Sequence, residues 1–187
     1  MLTSRLLDPA FRIYWDEMDL CRPVRAYWAL LHVTVCLPDI CAALQSADSE
    51  TKGGLYVAWC DQYLVDPVLS GSERWQMRCK VLHQGRASIA AQGRYDGFSF
   101  VQPAANGQVD HKRLEGTTLV LDVGMLAGEM RAGVEQWIKH LEMHPSSVEA
   151  ANAQRNLASL IQVRQFPLPP IPGVPLPVTP TIINRSS

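Results

Sequence analysis

The feature that most constrains the fold is a stripe of apolar residues at helical spacing: Val123, Leu126, Met130, Val134, Trp137, Ile138 and Leu141. Steps of three and four put all of them on one side of an α-helix, and such a side must be buried against something. A long helix over 123–143 is predicted, and the rest of the chain has to supply its partners. Other stretches repeat the period. Val24, Tyr27, Trp28, Leu31 and Val35 predict a helix beginning near Pro23, a residue suited to a first turn. Pro38-Asp39 should start or kink a second helix carrying Ile40, Ala43 and Leu44. Tyr56, Trp59, Cys60, Tyr63 and Leu64 predict a third over 55–65, stopped by Asp66-Pro67. A fourth is expected over 73–84, with Ser72 as its cap, Trp75, Cys79 and Leu82 as its buried stripe, and Gly85 ending it. A further helix should span 147–163, with Ser146-Ser147 ahead of it as the cap.

Two stretches break the period. RYDGFSFV (94–101) and TTLVLD (117–122) are aromatic or β-branched, and the segment between them is polar with Pro103, Asn106, Gly107 and Gly116. They predict an antiparallel hairpin, about 94–122, inserted in a helical protein. Seven of the 13 prolines fall between Pro167 and Pro180, which excludes regular helix there and favours an extended tail. The expected organisation is one mainly α domain over 1–163, a bundle of about five to six helices with the hairpin inserted, followed by a proline-rich tail over 164–187. The first twenty residues suggest no role.

Composition removes several function classes. The formal charge is -1 and the pI about 6.5, so no strongly basic field marks a constitutive nucleic-acid binder. The five cysteines are odd in number and form no CxxC, which argues against a disulfide framework and a zinc ribbon. No P-loop and no GxSxG elbow occurs. The N-terminus lacks the apolar core of a secretory signal. The longest apolar stretch, Ala26 to Leu37, is far short of the roughly 20 residues of a membrane span. A soluble, cytoplasmic chain with no membrane partner, metal or cofactor is expected.

The strongest local signal is Arg78-Cys79-Lys80-Val81-Leu82-His83-Gln84-Gly85. Arginine carries a permanent charge and can hold two phosphate oxygens. Histidine can give and take protons near neutral pH. Both on one helix make a plausible phosphodiester-cleaving pair, and the helix dipole should favour protonated His83 in the last turn. Five positions at 100° each place the two about 140° apart on a straight helix. That separation predicts either a distorted last turn or a second copy of the helix completing the site, hence a two-fold dimer. Lys80 and Gln84 are secondary candidates for substrate contact. His32 reads as a hydrogen-bonded core residue, His111 as a solvated loop residue, and His140 with His144 as surface histidines at a helix end.

An arginine, four residues and a histidine before a glycine is similar to the Arg-x(4–6)-His motif of HEPN proteins. The preceding helix, Tyr56 to Leu64, and the later hairpin and Trp137-bearing helix resemble a plasmid- and phage-defence-associated HEPN subgroup. The resemblance covers about residues 20–142. It implies a helical bundle, usually a homodimer, acting as a metal-independent endoribonuclease in toxin–antitoxin or anti-phage defence. RNA would be the substrate, and an antitoxin or defence protein a partner. His83 would serve as general acid or base and Arg78 would steady the phosphate, giving a 2′,3′-cyclic phosphate. Active members usually carry a polar residue directly after the arginine, where Cys79 stands here. The alternative is therefore a non-catalytic HEPN module that binds RNA, a nucleotide or a partner protein. A purely structural helical protein is the third reading.

Overall fold

A computed structural model of the chain describes residues 3–84, 94–104 and 106–160. The helices are α1 (Thr3–Cys21), α2 (Tyr27–Gln45), α3 (Gly53–Tyr63), α4 (Gly71–Gln84), α5 (Val123–Met143) and α6 (Val148–Asn156), with a 3₁₀ turn at Leu157–Ser159. Three short strands, β1 (Gly97–Val101), β2 (Arg113–Glu115) and β3 (Thr118–Asp122), lie between α4 and α5. The protein is mainly helical with one small sheet. The last predicted helix is shorter than expected: α6 ends at Asn156, the 3₁₀ turn follows, and Leu160 is extended, so the helix does not run on to 163. The proline-rich tail and Gly85 lie outside the described residues.

The long stripe behaves as its spacing predicts. Val123, Leu126, Met130, Val134, Trp137, Ile138 and Leu141 of α5 are all buried. Trp137 takes Phe11 of α1 edge-on and donates its indole N–H to Gln45 Oε1 at 2.7 Å. The N-terminal segment, for which the sequence suggests no role, supplies α1 from Thr3, which closes one side of the core with Leu7, Phe11 and Met18. Asp122 caps α5 by accepting from the Met125 N–H. Ser147 caps α6 in the same way through the Ala150 N–H.

The second predicted helix is corrected. α2 runs unbroken for 19 residues with Pro38 inside it, so Pro38-Asp39 neither starts nor ends a helix. Surrounding packing holds it: α2 touches α1, α3, α4, α5 and α6. Its buried residues, including Leu30, Leu31, Val35, Leu37, Cys41 and Leu44, therefore cover several faces, as in a central helix. By length and composition alone α2 could cross a membrane; half of it is buried within this fold. Its C-terminal carbonyls, orphaned by the end of the helix, are taken by α6. Asn156 Nδ2 donates to Leu44 O and Ser46 O, and Asn152 Nδ2 to Gln45 O.

The hairpin is also corrected. β1 pairs with β3 in parallel, Gly97 opposite Thr118 and Val101 opposite Asp122. The antiparallel partner of β3 is β2, giving the order β1-β3-β2. The connection over 102–117 is long enough for the crossover that parallel strands require, and β2 forms within it.

α4 begins two residues earlier than predicted, and its cap is Ser70 rather than Ser72. Ser70 Oγ accepts from the Glu73 N–H, and Glu73 Oε2 accepts from the Ser70 N–H at 2.8 Å, a reciprocal capping box. Its buried face also differs. Glu73, Arg74, Met77 and Val81 are enclosed, whereas Trp75, Cys79 and Leu82 are only partly covered. Two charged residues sit in the core as ion pairs, which an apolar pattern cannot register.

Gly71 sets how closely α4 approaches α3. A Cβ there would lie 2.5 Å from the Val57 carbonyl oxygen and 2.7 Å from Asp61 Oδ1, the atom that accepts the Gly71 N–H. A backbone carbonyl cannot move without shifting α3. Gly71→Ala is expected to lower stability by about 1–3 kcal/mol, the usual cost of overpacking. Urea unfolding measures this, and an unchanged midpoint would contradict the close approach.

Candidate functional site

Arg78 and His83 both lie on the second half of α4. The structure brings their side chains together: Arg78 Nη1 is 2.8 Å from His83 Nε2. The expectation that one unmodified helix keeps them apart is corrected. The arginine side chain is long enough to cross the angular gap that separates the two backbone positions. Helix geometry therefore gives no reason for a second copy of the site.

The contact fixes the chemistry of the histidine. A guanidinium can only donate. His83 Nε2 must accept, so in this arrangement the imidazole is neutral and its proton sits on Nδ1. The ring is exposed.

Arg78 is itself anchored. Its Nε donates to Asp39 Oδ2 at 2.5 Å, and its Cζ stands 5.0 Å from the Trp75 ring centroid. Burial works against the Arg78 charge, but the Asp39 hydrogen bond and carboxylate more than offset it and hold its pKa above the ordinary value. Burial also pushes Asp39 upward, against the pull of Arg78. With a permanent cation at 2.5 Å, the geometry favours a charged pair. Asp39 joins the site from α2, half-buried and far away in sequence. The sequence marks it only as a residue where a helix starts or kinks.

Arg78 and Asp39 also line a cavity of about 350 Å³ with Tyr14, Ile40, Leu44 and Thr51. Asp39 Oδ1 and Thr51 Oγ1 are buried there without a hydrogen-bond partner among the described residues. His83 and Lys80 are not among its described lining. Lys80 is half-buried; the Gln84 side chain lies outside the described residues. Cys79 is partly exposed, so it is a residue of the site's surroundings rather than of the core.

A second polar cluster was not foreseen. Arg74, its side chain 1% exposed, donates from Nη2 to Asp66 Oδ2 at 3.3 Å and from Nε to Leu69 O. Lys112 Nζ bridges Asp66 Oδ2, at 2.6 Å, and Glu129 Oε1. Lys112 has φ +58°, a left-handed backbone rare for a side chain of this kind. His111 is enclosed rather than solvated, which corrects the loop reading. Its Nδ1 accepts from the Asp122 N–H, so its Nε2 carries the proton and donates to Glu129 Oε1 at 3.2 Å. Both ring nitrogens are used, so this histidine positions Glu129. Nothing in the sequence marks the cluster, since its members come from the loop after α3, from α4, from the segment before β2, and from α5.

Among the described residues no group of three or more His, Cys, Asp or Glu side chains is placed to hold a metal ion. His144 Nδ1 lies 2.9 Å from His140 O, so that ring is engaged with its own helix end. His32 is half-buried, bonded through Nδ1 to Trp28 O.

Glu129 gives the cluster a pH signature. Burial alone would raise its pKa, but His111 and Lys112 outweigh it and pull it from 4.5 to about 2. A lowered carboxyl pKa stabilises the fold fully above the unfolded value and loses that contribution as pH falls through the folded one. Wild-type stability should therefore decline from about pH 4.5 towards pH 2, and Glu129→Gln should flatten that part of the profile. Urea midpoints measured across this range check it; parallel profiles would contradict the pairing. In comparisons with family models, curated proteins and solved structures, the chain matches none.

Proposed function

We propose that this protein is a metal-independent endoribonuclease of HEPN type, with Arg78 and His83 as its catalytic residues. The observation that carries the reading is the Arg78–His83 contact at 2.8 Å: a neutral, exposed imidazole beside an anchored cation. The HEPN resemblance of residues 20–142 supplies the reaction class.

The chemistry follows from the two side chains. A phosphodiester oxygen would replace His83 Nε2 as the acceptor for Arg78 Nη1. The freed Nε2 lone pair would then take the proton of the ribose 2′-OH. O2′ attacks phosphorus, the P–O5′ bond breaks, and the leaving O5′ takes up a proton from an imidazolium. Arg78 stabilises the charge that develops on the phosphoryl oxygens. The products are a 2′,3′-cyclic phosphate and a 5′-hydroxyl. That imidazolium is the one His83 becomes on taking the 2′-OH proton; a homodimer cleft, cytoplasmic, in a toxin–antitoxin or anti-phage setting, belongs to the proposal.

One observation favours a second reading. Asp39 neutralises Arg78 at 2.5 Å, and Cys79 stands where a polar neighbour would assist. A non-catalytic module that binds RNA, a nucleotide or a partner protein fits that balance.

Mixed RNA incubated in EDTA with wild type, His83→Ala and Arg78→Ala separates the two. The expected losses are about 10²–10⁴-fold for His83→Ala and about 10²–10³-fold for Arg78→Ala, with cyclic-phosphate ends from wild type only. RNA retained but uncut by wild type would select the second reading. Cleavage equal in all three would overturn the catalytic assignment.

A further inference from the structure

The Arg74 cluster surrounds a second cavity, of about 350 Å³, open to solvent and lined by Tyr63, Asp66, Arg74, Lys112, Glu129 and Gln136 among others. That size lies at the small end of the range for ligand sites, about 300–1,000 Å³. Two polar atoms of residues that line it are buried without a hydrogen-bond partner among the described residues: Arg74 Nη1 and Glu129 Oε2. The Arg74 side chain is 1% exposed. Its Nη2 stands 3.7 Å from Glu129 Oε2, too far for a hydrogen bond, so the free donor and the free acceptor belong to one ion pair.

A network that served only to hold the fold would satisfy these atoms, because buried polar groups are normally paired. Here every other member is engaged. Glu129 Oε1 takes His111 and Lys112, Asp66 Oδ1 accepts from the Val68 N–H, and Asp66 Oδ2 takes Lys112 and Arg74. The two atoms left over are one donor and one acceptor.

The charge balance selects the ligand. Arg74 and Lys112 face Asp66 and Glu129, so the fixed charges cancel. An anion would meet two carboxylates, and a cation would meet two fixed cations. We propose that this cavity is a binding site for a neutral, planar group with an acceptor beside a donor, the edge of a primary carboxamide or of a nucleobase. The ligand's carbonyl or ring nitrogen would accept from Arg74 Nη1, and its N–H would donate to Glu129 Oε2. The exposed Ala132 and Val65 stand at the edge of the cavity. The site is separate from Arg78 and His83 and does not depend on the ribonuclease reading.

The test uses the whole chain and five probes: guanosine, adenosine, cytidine, uridine and nicotinamide. Binding is followed by saturation-transfer NMR and titration calorimetry. At least one probe should bind one-to-one, and inorganic phosphate should not displace it. Ala132→Trp, which closes the entrance from an exposed position, and Glu129→Gln, which alters the acceptor, should each weaken binding about tenfold or more. Circular dichroism confirms that each variant is folded; should Glu129→Gln unfold, Ala132→Trp still decides. Nucleosides binding without nicotinamide identifies a base edge, and nicotinamide alone a carboxamide; either supports the site. No binding by any probe at millimolar concentration, or binding untouched by Ala132→Trp, overturns it.

Discussion

An enclosed cation, Arg74, fixes how the parts of this molecule meet. A charge out of water is tolerated only with opposite charge and hydrogen bonds around it. Arg74 finds them on the loop after α3, through Asp66 and Leu69 O, and on α5, through Glu129. Glu129 and Asp66 in turn hold Lys112, and Glu129 holds His111. The segment leading into β2 is thereby tied to the same point. Ion pairs of this kind add little net stability compared with apolar packing, but each partner strands the other if removed. Their effect is on register: α4 has one depth at which Arg74 meets both carboxylates.

That register carries the candidate site. Arg78 follows Arg74 by one helical turn and meets Asp39 on α2. The N-terminal end of α4 is held by the Ser70–Glu73 box, and Arg94 bonds Glu73 and the Pro67 and Val68 carbonyls from the far side. The pair of Arg78 and His83 thus rests on a helix fixed at its start, along its buried face and against α2. Of the two, His83 is the exposed residue. For the proposed phosphoryl chemistry, the arrangement supplies an anchored cation bonded to an exposed imidazole. The same anchoring by Asp39 tempers it, because that carboxylate competes with a phosphate for the guanidinium.

The helices were legible where burial and period agree. The α5 stripe and the Tyr56, Trp59, Cys60, Tyr63 and Leu64 face of α3 are enclosed as their spacing implies. Reading failed wherever tertiary contact overrode a local rule. Pro38 sits inside α2, whose 19 residues run on through it while five neighbouring helices pack around that helix. β1 runs parallel to β3, a choice that strand composition does not encode. Spacing puts Cys79 on a buried stripe with Trp75 and Leu82, but α4 encloses Glu73, Arg74, Met77 and Val81 instead.

Sequence by itself determined the helical class, the length and buried face of α5, the cap of α6, and the presence of an arginine and a histidine near the end of α4. Those depend on near neighbours along the chain, where spacing and chemistry are printed directly. Tertiary structure decided which groups share a site. Asp39 joins Arg78 across 39 positions, and Glu129 joins His111 and Lys112 across 18 and 17. Such pairings follow from how helices pack in three dimensions, and a burial pattern that counts only apolar residues is blind to buried charge.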